Sequence, residues 1–160
     1  MQAANPDAAL AKLGPLTRSK NVGYRASAKM AEAGVALGKD DFSGAARIYG
    51  EVASDTSVPQ PWRDLALIRQ TAAEFDSIKP ELVVTRLRPL AAKGNPWFGS
   101  AGEMVAAAYL KMGKAELAGK MFADIGKDEN VPETIRSRAV QMAGSLGVDS
   151  APLPTKEVTK

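Results

Sequence analysis

The side chains that could do chemistry in this sequence are carboxylates, lysines, hydroxyls and tyrosines, because its 160 residues contain no histidine and no cysteine. Thiolate or imidazole catalysis, disulfides, and metal or haem sites built on Cys or His are therefore excluded. The acidic residues fall at spacings typical of helix caps and surfaces, and either Asp40 or Asp41 could cap a helix. No carboxylate pair stands in a glycosidase-like context, and no phosphate-binding Gly motif occurs. The sequence predicts a protein that is not an enzyme and needs no cofactor or metal.

Two tryptophans and three arginines are the candidates for binding a protein partner. Trp62 and Trp97 each follow a proline at a predicted helix start and could anchor a groove, since Trp is favoured at interaction hot spots. Their alternative role is to fill the core between repeats. Arg63, Arg69 and Arg86 could line a face that binds acidic or backbone groups. Their alternative role is a solvated surface with local ion pairs.

Helical periodicity supplies the elements that must position these residues. Apolar residues recur at steps of three and four in eight segments, and no segment alternates with the period of two typical of strands. One of the eight stripes comprises Phe42, Ala45, Tyr49 and Val52. Pro89 interrupts the fifth stripe and predicts a kink or an early stop there. Short turns join the segments, so the sequence predicts an all-α fold in which neighbouring helices run antiparallel.

An internal repeat sharpens this prediction. A shift of 73 residues places Ala45, Tyr49, Val52, Val58-Pro59 and Arg63 on Ala118, Phe122, Ile125, Val131-Pro132 and Arg136. A second match at 35 residues places Pro61-Trp62 on Pro96-Trp97 and leaves a step of 38. Both steps are close to the roughly 34-residue period of tetratricopeptide repeats. The sequence therefore predicts a tetratricopeptide-like solenoid of antiparallel helical hairpins, in which Gly102 replaces an expected aromatic.

The predicted organisation has three parts. Residues 1–21 form a short helix and linker that amount to part of a hairpin, and residues 22–147 form the helical repeat domain. Residues 148–160 contain two prolines and no apolar stripe, which predicts a disordered tail.

Charge and hydropathy limit the partners. The formal net charge is only +3 and the basic residues are dispersed, so the sequence does not predict a nucleic-acid-binding protein. No segment approaches the roughly 20 apolar residues needed to cross a bilayer.

Several motifs together resemble a known family. They are Tyr24-Arg25-Ala26, Ala36-Leu37-Gly38, Asp55-Thr56-Ser57-Val58-Pro59, Trp62-Arg63-Asp64-Leu65-Ala66-Leu67-Ile68-Arg69, Arg86-Leu87-Arg88-Pro89-Leu90-Ala91 and Pro96-Trp97-Phe98. Over roughly residues 22–147 the chain resembles the tetratricopeptide-like domain of ancillary SecYEG translocon subunits (YfgM-type). These motifs concern packing and contain no catalytic pattern.

The resemblance implies a non-enzymatic protein-binding module on the periplasmic side of the bacterial inner membrane. Its expected partners are the SecYEG translocon and periplasmic chaperones. It also implies an N-terminal membrane anchor, which the present chain lacks, so we expect the sequence to be a fragment of a longer protein. The alternative function is a self-associating scaffold of envelope complexes, in which an exposed solenoid end forms a homodimer.

Overall fold

The computed structural model describes residues 6–148, and the predicted tail from residue 149 onward lies outside this range. Within the described range the chain forms helices and no strand, which confirms the all-α class. Besides a short 3-10 helix at Leu16–Arg18, the elements are α1 Pro6–Leu13, α2 Val22–Leu37, α3 Phe42–Ser54, α4 Gln60–Glu74, α5 Pro80–Leu87, α6 Phe98–Lys111, α7 Ala115–Lys127 and α8 Glu133–Ser145.

The predicted repeat domain divides into two compact units. Unit 1 is Met1–Ile78 and contains α1 to α4, whereas unit 2 is Lys79–Lys160 and contains α5 to α8. In unit 1 helix α3 packs against both α2 and α4, and in unit 2 helix α7 packs against both α6 and α8. Each unit is therefore built around three consecutive helices whose middle helix contacts the other two.

The 73-residue repeat is reproduced in the helix boundaries. Helices α3 and α7 are each 13 residues long and begin 73 residues apart. Helices α4 and α8, of 15 and 13 residues, also begin 73 residues apart. A shift of 35 residues places the first residues of α5 and α6 on those of α7 and α8, and a shift of 38 residues places the first residues of α2 and α3 on those of α4 and α5. A step of 73 residues therefore advances the chain by four helices, and α2 to α4 and their counterparts α6 to α8 are the two copies of a repeated block.

The first turn of each block also repeats. Asp40 has a φ of 59°, and Gly113, which lies 73 residues later, has a φ of 71°. In both turns an amide reaches back five residues, from Asp41 N to Ala36 O and from Lys114 N to Tyr109 O, each at 2.9 Å. Such αL turns close helix C-termini and favour glycine. Asp41, and not Asp40, caps the next helix by accepting a bond from Gly44 N at 2.8 Å.

Each unit has its own apolar core, and equivalent residues fill both. Ala45, Tyr49, Val52, Val58 and Ala66 are buried in unit 1, and Ala118, Phe122, Ile125, Val131 and Ala139 are buried in unit 2. Small alanines at these positions allow the helix axes to come close.

Gly102 has a packing role in unit 2. A Cβ atom at this position would lie 2.9 Å from Ile125 Cδ1, so the Ile125 side chain occupies the space that a larger residue would need. This contact explains why the aromatic of the tetratricopeptide pattern is missing there.

The end of α5 and the start of the predicted tail can both be compared with the structure. Helix α5 ends at Leu87, two residues before Pro89, as the early-stop alternative required. Val148, which the sequence assigns to the tail, packs against the core of unit 2.

Candidate protein-binding surface

An apolar groove opens on unit 1 beside α3 and α4. It encloses about 350 Å³ and is lined by Leu37, Phe42, Tyr49, Arg69, Ala72 and Ala73. The groove stays open because Ala72 and Ala73, near the end of α4, have side chains too short to extend across it toward α3. The groove is therefore a consequence of residue size along one edge of α4.

Phe42 is the exposed apolar residue of this groove. It is the first residue of α3, directly after the cap Asp41, and 53% of its surface is exposed. Phe42 begins the apolar stripe predicted for α3, but it is exposed, whereas Ala45, Tyr49 and Val52 of the same stripe are buried. The first residue of a helix has no preceding turn to cover it, and its neighbours across the groove are alanines.

Arg69 is the charged residue of the groove. Its side chain is exposed, and no described residue forms an ion pair or hydrogen bond with it. An unpaired guanidinium beside an apolar surface can accept a carboxylate with a forked pair of hydrogen bonds. Of the five candidates from the sequence, Arg69 is the one that lines this groove.

The other two candidates in unit 1 have different surroundings. Arg63 is partly buried, and its Nε donates to the carbonyl of Ala53 at 3.2 Å, which ties α4 to the end of α3. Trp62, in the first turn of α4, is 41% exposed. The contact made by Arg63 is structural, whereas Trp62 keeps a large accessible surface and does not line the groove.

The candidates in unit 2 are less accessible. Trp97 is partly buried and directly precedes α6, with its amide donating to Asn95 Oδ1 at 2.8 Å. Arg86, on α5, is also partly buried and already has an interaction partner. Neither residue offers the free, exposed side chain that Arg69 does.

An arginine that sequence reasoning did not single out joins two loops of unit 1. Arg25 Nη1 donates to the carbonyl of Ser19 at 3.0 Å, and its Nη2 reaches Asp55 Oδ2 at 3.2 Å and Ser57 Oγ at 3.0 Å. Two of the family-like motifs, separated by about 30 residues in sequence, thus meet at one guanidinium. Spacing alone could not reveal this contact, because it depends on the packing of α2 against α3.

Electrostatic shifts in the described residues follow from such contacts. The pKa of Glu51 is lowered, mainly by a hydrogen bond from Lys29 Nζ at 2.7 Å. The pKa of Asp55 is lowered by its hydrogen bonds from Ser57 and then by Arg25, and the pKa of Arg138 is raised by Glu103. Each shift favours the charged form and reflects local pairing. A carboxyl group that acts as a general acid has a raised pKa instead.

Among residues 6–148 no group of three or more acidic side chains is placed to hold a metal ion. None of the helices in that range combines the length and apolar character needed to cross a membrane. Comparison of the chain with family models, with curated proteins and with solved structures found no match.

Proposed function

We propose that this chain is a non-enzymatic protein-binding module of tetratricopeptide-like type. The observation that carries the proposal is the groove of unit 1, where the exposed ring of Phe42 and the guanidinium of Arg69, which has no partner among residues 6–148, lie beside the same apolar surface. A partner segment with an apolar side chain next to a carboxylate would bury the ring of Phe42 and pair with Arg69. Both contacts are of the kind that dominates binding energy at protein interfaces.

The groove is specific to one of the two repeats. The residues 73 positions after Phe42 and Arg69 are Ala115 and Met142, so unit 2 has neither the ring nor the charge. Packing of the repeated block therefore does not require these two side chains. Their presence in unit 1 alone supports a binding role.

The family-like motifs supply the biological setting of the proposal. We infer that the module is the periplasmic part of a membrane-anchored, translocon-associated and chaperone-like subunit, whose partners are the SecYEG translocon and periplasmic chaperones. The resemblance supports this setting, and the groove supports the mode of binding.

The test is affinity capture from bacterial membranes with a tagged full-length protein. We expect translocon or periplasmic chaperone components to be recovered, and recovery to fall strongly for Phe42→Ala and Arg69→Glu. Leu117→Ala is the matched control, because Leu117 is 46% exposed, belongs to α7 of unit 2 and is not one of the residues that line the groove.

Two results would count against the proposal. The first is failure of the unaltered protein to recover any of these components, and the second is equal recovery by the groove variants and the control. Sedimentation of the purified chain separates self-association from partner binding, since a homodimer forming through Phe42 would be lost in the Phe42→Ala variant.

A further inference from the structure

The Arg25 contacts of unit 1 define a place in the three-helix block that takes a guanidinium. This place lies between the loop that precedes α2 and the loop that joins α3 to α4. Three oxygen atoms surround the guanidinium there: Ser19 O, Asp55 Oδ2 and Ser57 Oγ. The forked geometry of arginine allows one side chain to bridge both loops.

Unit 2 keeps the second loop in the same conformation. Asn130 N donates to Asp128 Oδ1 at 2.9 Å, as Ser57 N donates to Asp55 Oδ1 at 3.0 Å. The next amide repeats the pattern as well. Val131 N donates to Asp128 O at 3.0 Å, as Val58 N donates to Asp55 O at 3.0 Å. The Asp128 carboxylate is therefore held in the same turn as that of Asp55.

Unit 2 has no arginine at the position equivalent to Arg25. The residue 73 positions after Arg25 is Phe98, whose ring is 2% exposed and belongs to the apolar core. Lys93, a cation one residue before the loop glycine Gly94, pairs with Asp124 at 3.0 Å. Among the described residues no cation pairs with Asp128.

A cleft of about 350 Å³ lies between the two loops of unit 2. Its lining consists of Gly94, Asn95, Pro96, Asp128, Asn130 and Val131. Asn130 donates to Asp128 Oδ1 from its side-chain Nδ2 at 3.0 Å as well as from its amide, which leaves Oδ2 without a donor in the described residues. Asn95 accepts from Trp97 N at 2.8 Å and donates from Nδ2 to Pro89 O at 3.4 Å.

We propose that this cleft binds the guanidinium of an arginine side chain presented by a partner protein, in the place that Arg25 fills in unit 1. The inference rests on the proposed function, since it gives the chemistry of a second contact with a protein partner. Asp128 Oδ2 accepts the charged hydrogen bond, as Asp55 Oδ2 does from Arg25. Arginine fits better than lysine because the bridge needs several donors in one plane.

The experiment is an amide NMR titration of the purified chain with N-acetyl-arginine amide. The matched probes are N-acetyl-lysine amide and the uncharged N-acetyl-citrulline amide, which has nearly the same shape as the arginine probe. We expect saturable shifts of the Asn95, Asn130 and Val131 amides in the millimolar range, as for a single small contact. The lysine probe should bind more weakly, and the citrulline probe should not bind.

Two variants locate the contact. Asp128→Asn keeps the Oδ1 acceptor of the turn but removes the charge, and it should weaken arginine binding about tenfold. Glu129→Gln changes the neighbouring, exposed charge and should leave the affinity within about twofold. The inference is overturned if no saturable shift appears at the cleft, if citrulline or lysine binds as well as arginine, or if both variants lose affinity equally.

These outcomes are separate from those of the capture experiment. Loss of capture in the Phe42 and Arg69 variants supports the groove whatever the arginine titration shows. Conversely, arginine binding at Asp128 can be measured with the purified chain even if no translocon component is captured.

Discussion

Replacing Gly102 with alanine tests the close packing of α6 and α7 in unit 2. The new Cβ would lie 2.9 Å from Ile125 Cδ1 and 3.3 Å from Cγ1, whereas carbon atoms prefer roughly 3.5–4.0 Å. Ile125 is fully buried, so its side chain has little room to withdraw. Overpacking costs about 1–3 kcal/mol, and the better helix propensity of alanine returns about 1 kcal/mol. We expect Gly102→Ala to lower the free energy of unfolding by about 1 kcal/mol.

A second substitution isolates the contact. Ile125→Val removes Cδ1, the atom nearest the new methyl group, and costs about 1 kcal/mol by itself. Combined with Gly102→Ala it should relieve most of the overlap. The double variant should therefore be about 1–2 kcal/mol more stable than the sum of the single effects predicts.

The assay is denaturant unfolding followed by circular dichroism, with tryptophan fluorescence as a second probe because the two units can unfold separately. Gly144→Ala is the control in the same unit, since a Cβ at Gly144 meets nothing within 4 Å and should stabilise α8 by up to about 1 kcal/mol. The reasoning is refuted if Gly102→Ala stabilises the protein as Gly144→Ala does, or if the double variant is simply additive.

Two further predictions concern the turn and an ion pair. Gly113→Ala should lower the free energy of unfolding by about 1–2 kcal/mol, because Gly113 has a φ of 71°. Asp40→Gly, at the equivalent position with a φ of 59°, should not destabilise the protein. Thermal unfolding of both variants checks this prediction, and equal effects would contradict it. Glu51→Gln should cost about 0.5 kcal/mol at pH 7, as is usual for a largely solvated ion pair. Because the pKa of Glu51 is lowered in the folded protein, its contribution is present above the ordinary value of 4.5 and is lost as the pH falls through the folded value. Unfolding curves of the native and Glu51→Gln proteins should therefore converge in acid, and a constant difference across this pH range would show that the charge of Glu51 is not responsible.

The helices could be predicted from the sequence because their signals are local. The Asp41 cap and the stop before Pro89 act within a few residues, and the 73-residue match placed equivalent core residues correctly. The binding surface could not be predicted in this way. Phe42 lies on the predicted apolar stripe, but its exposure depends on the small residues that α4 brings opposite to it.

Arginine roles show the same limit. Arg63 and Arg69 both lie on α4, six residues apart, yet one bonds to the carbonyl of Ala53 and the other has no partner among the described residues. The sequence marks Arg25 only as part of a family-like motif, although its guanidinium joins two loops. Which arginine is engaged depends on contacts between helices that are distant in sequence.

The match in helix spacing and turn conformation between the two blocks has a consequence for the history of the chain. A step of 73 residues that preserves both features is the mark of a tandem duplication whose heritable unit is four consecutive helices. Descendants of such a duplication gain or lose helices in fours. The two copies now differ in their contacts: Phe42 borders a groove in the first copy, and the second copy has Phe98 where the first has Arg25.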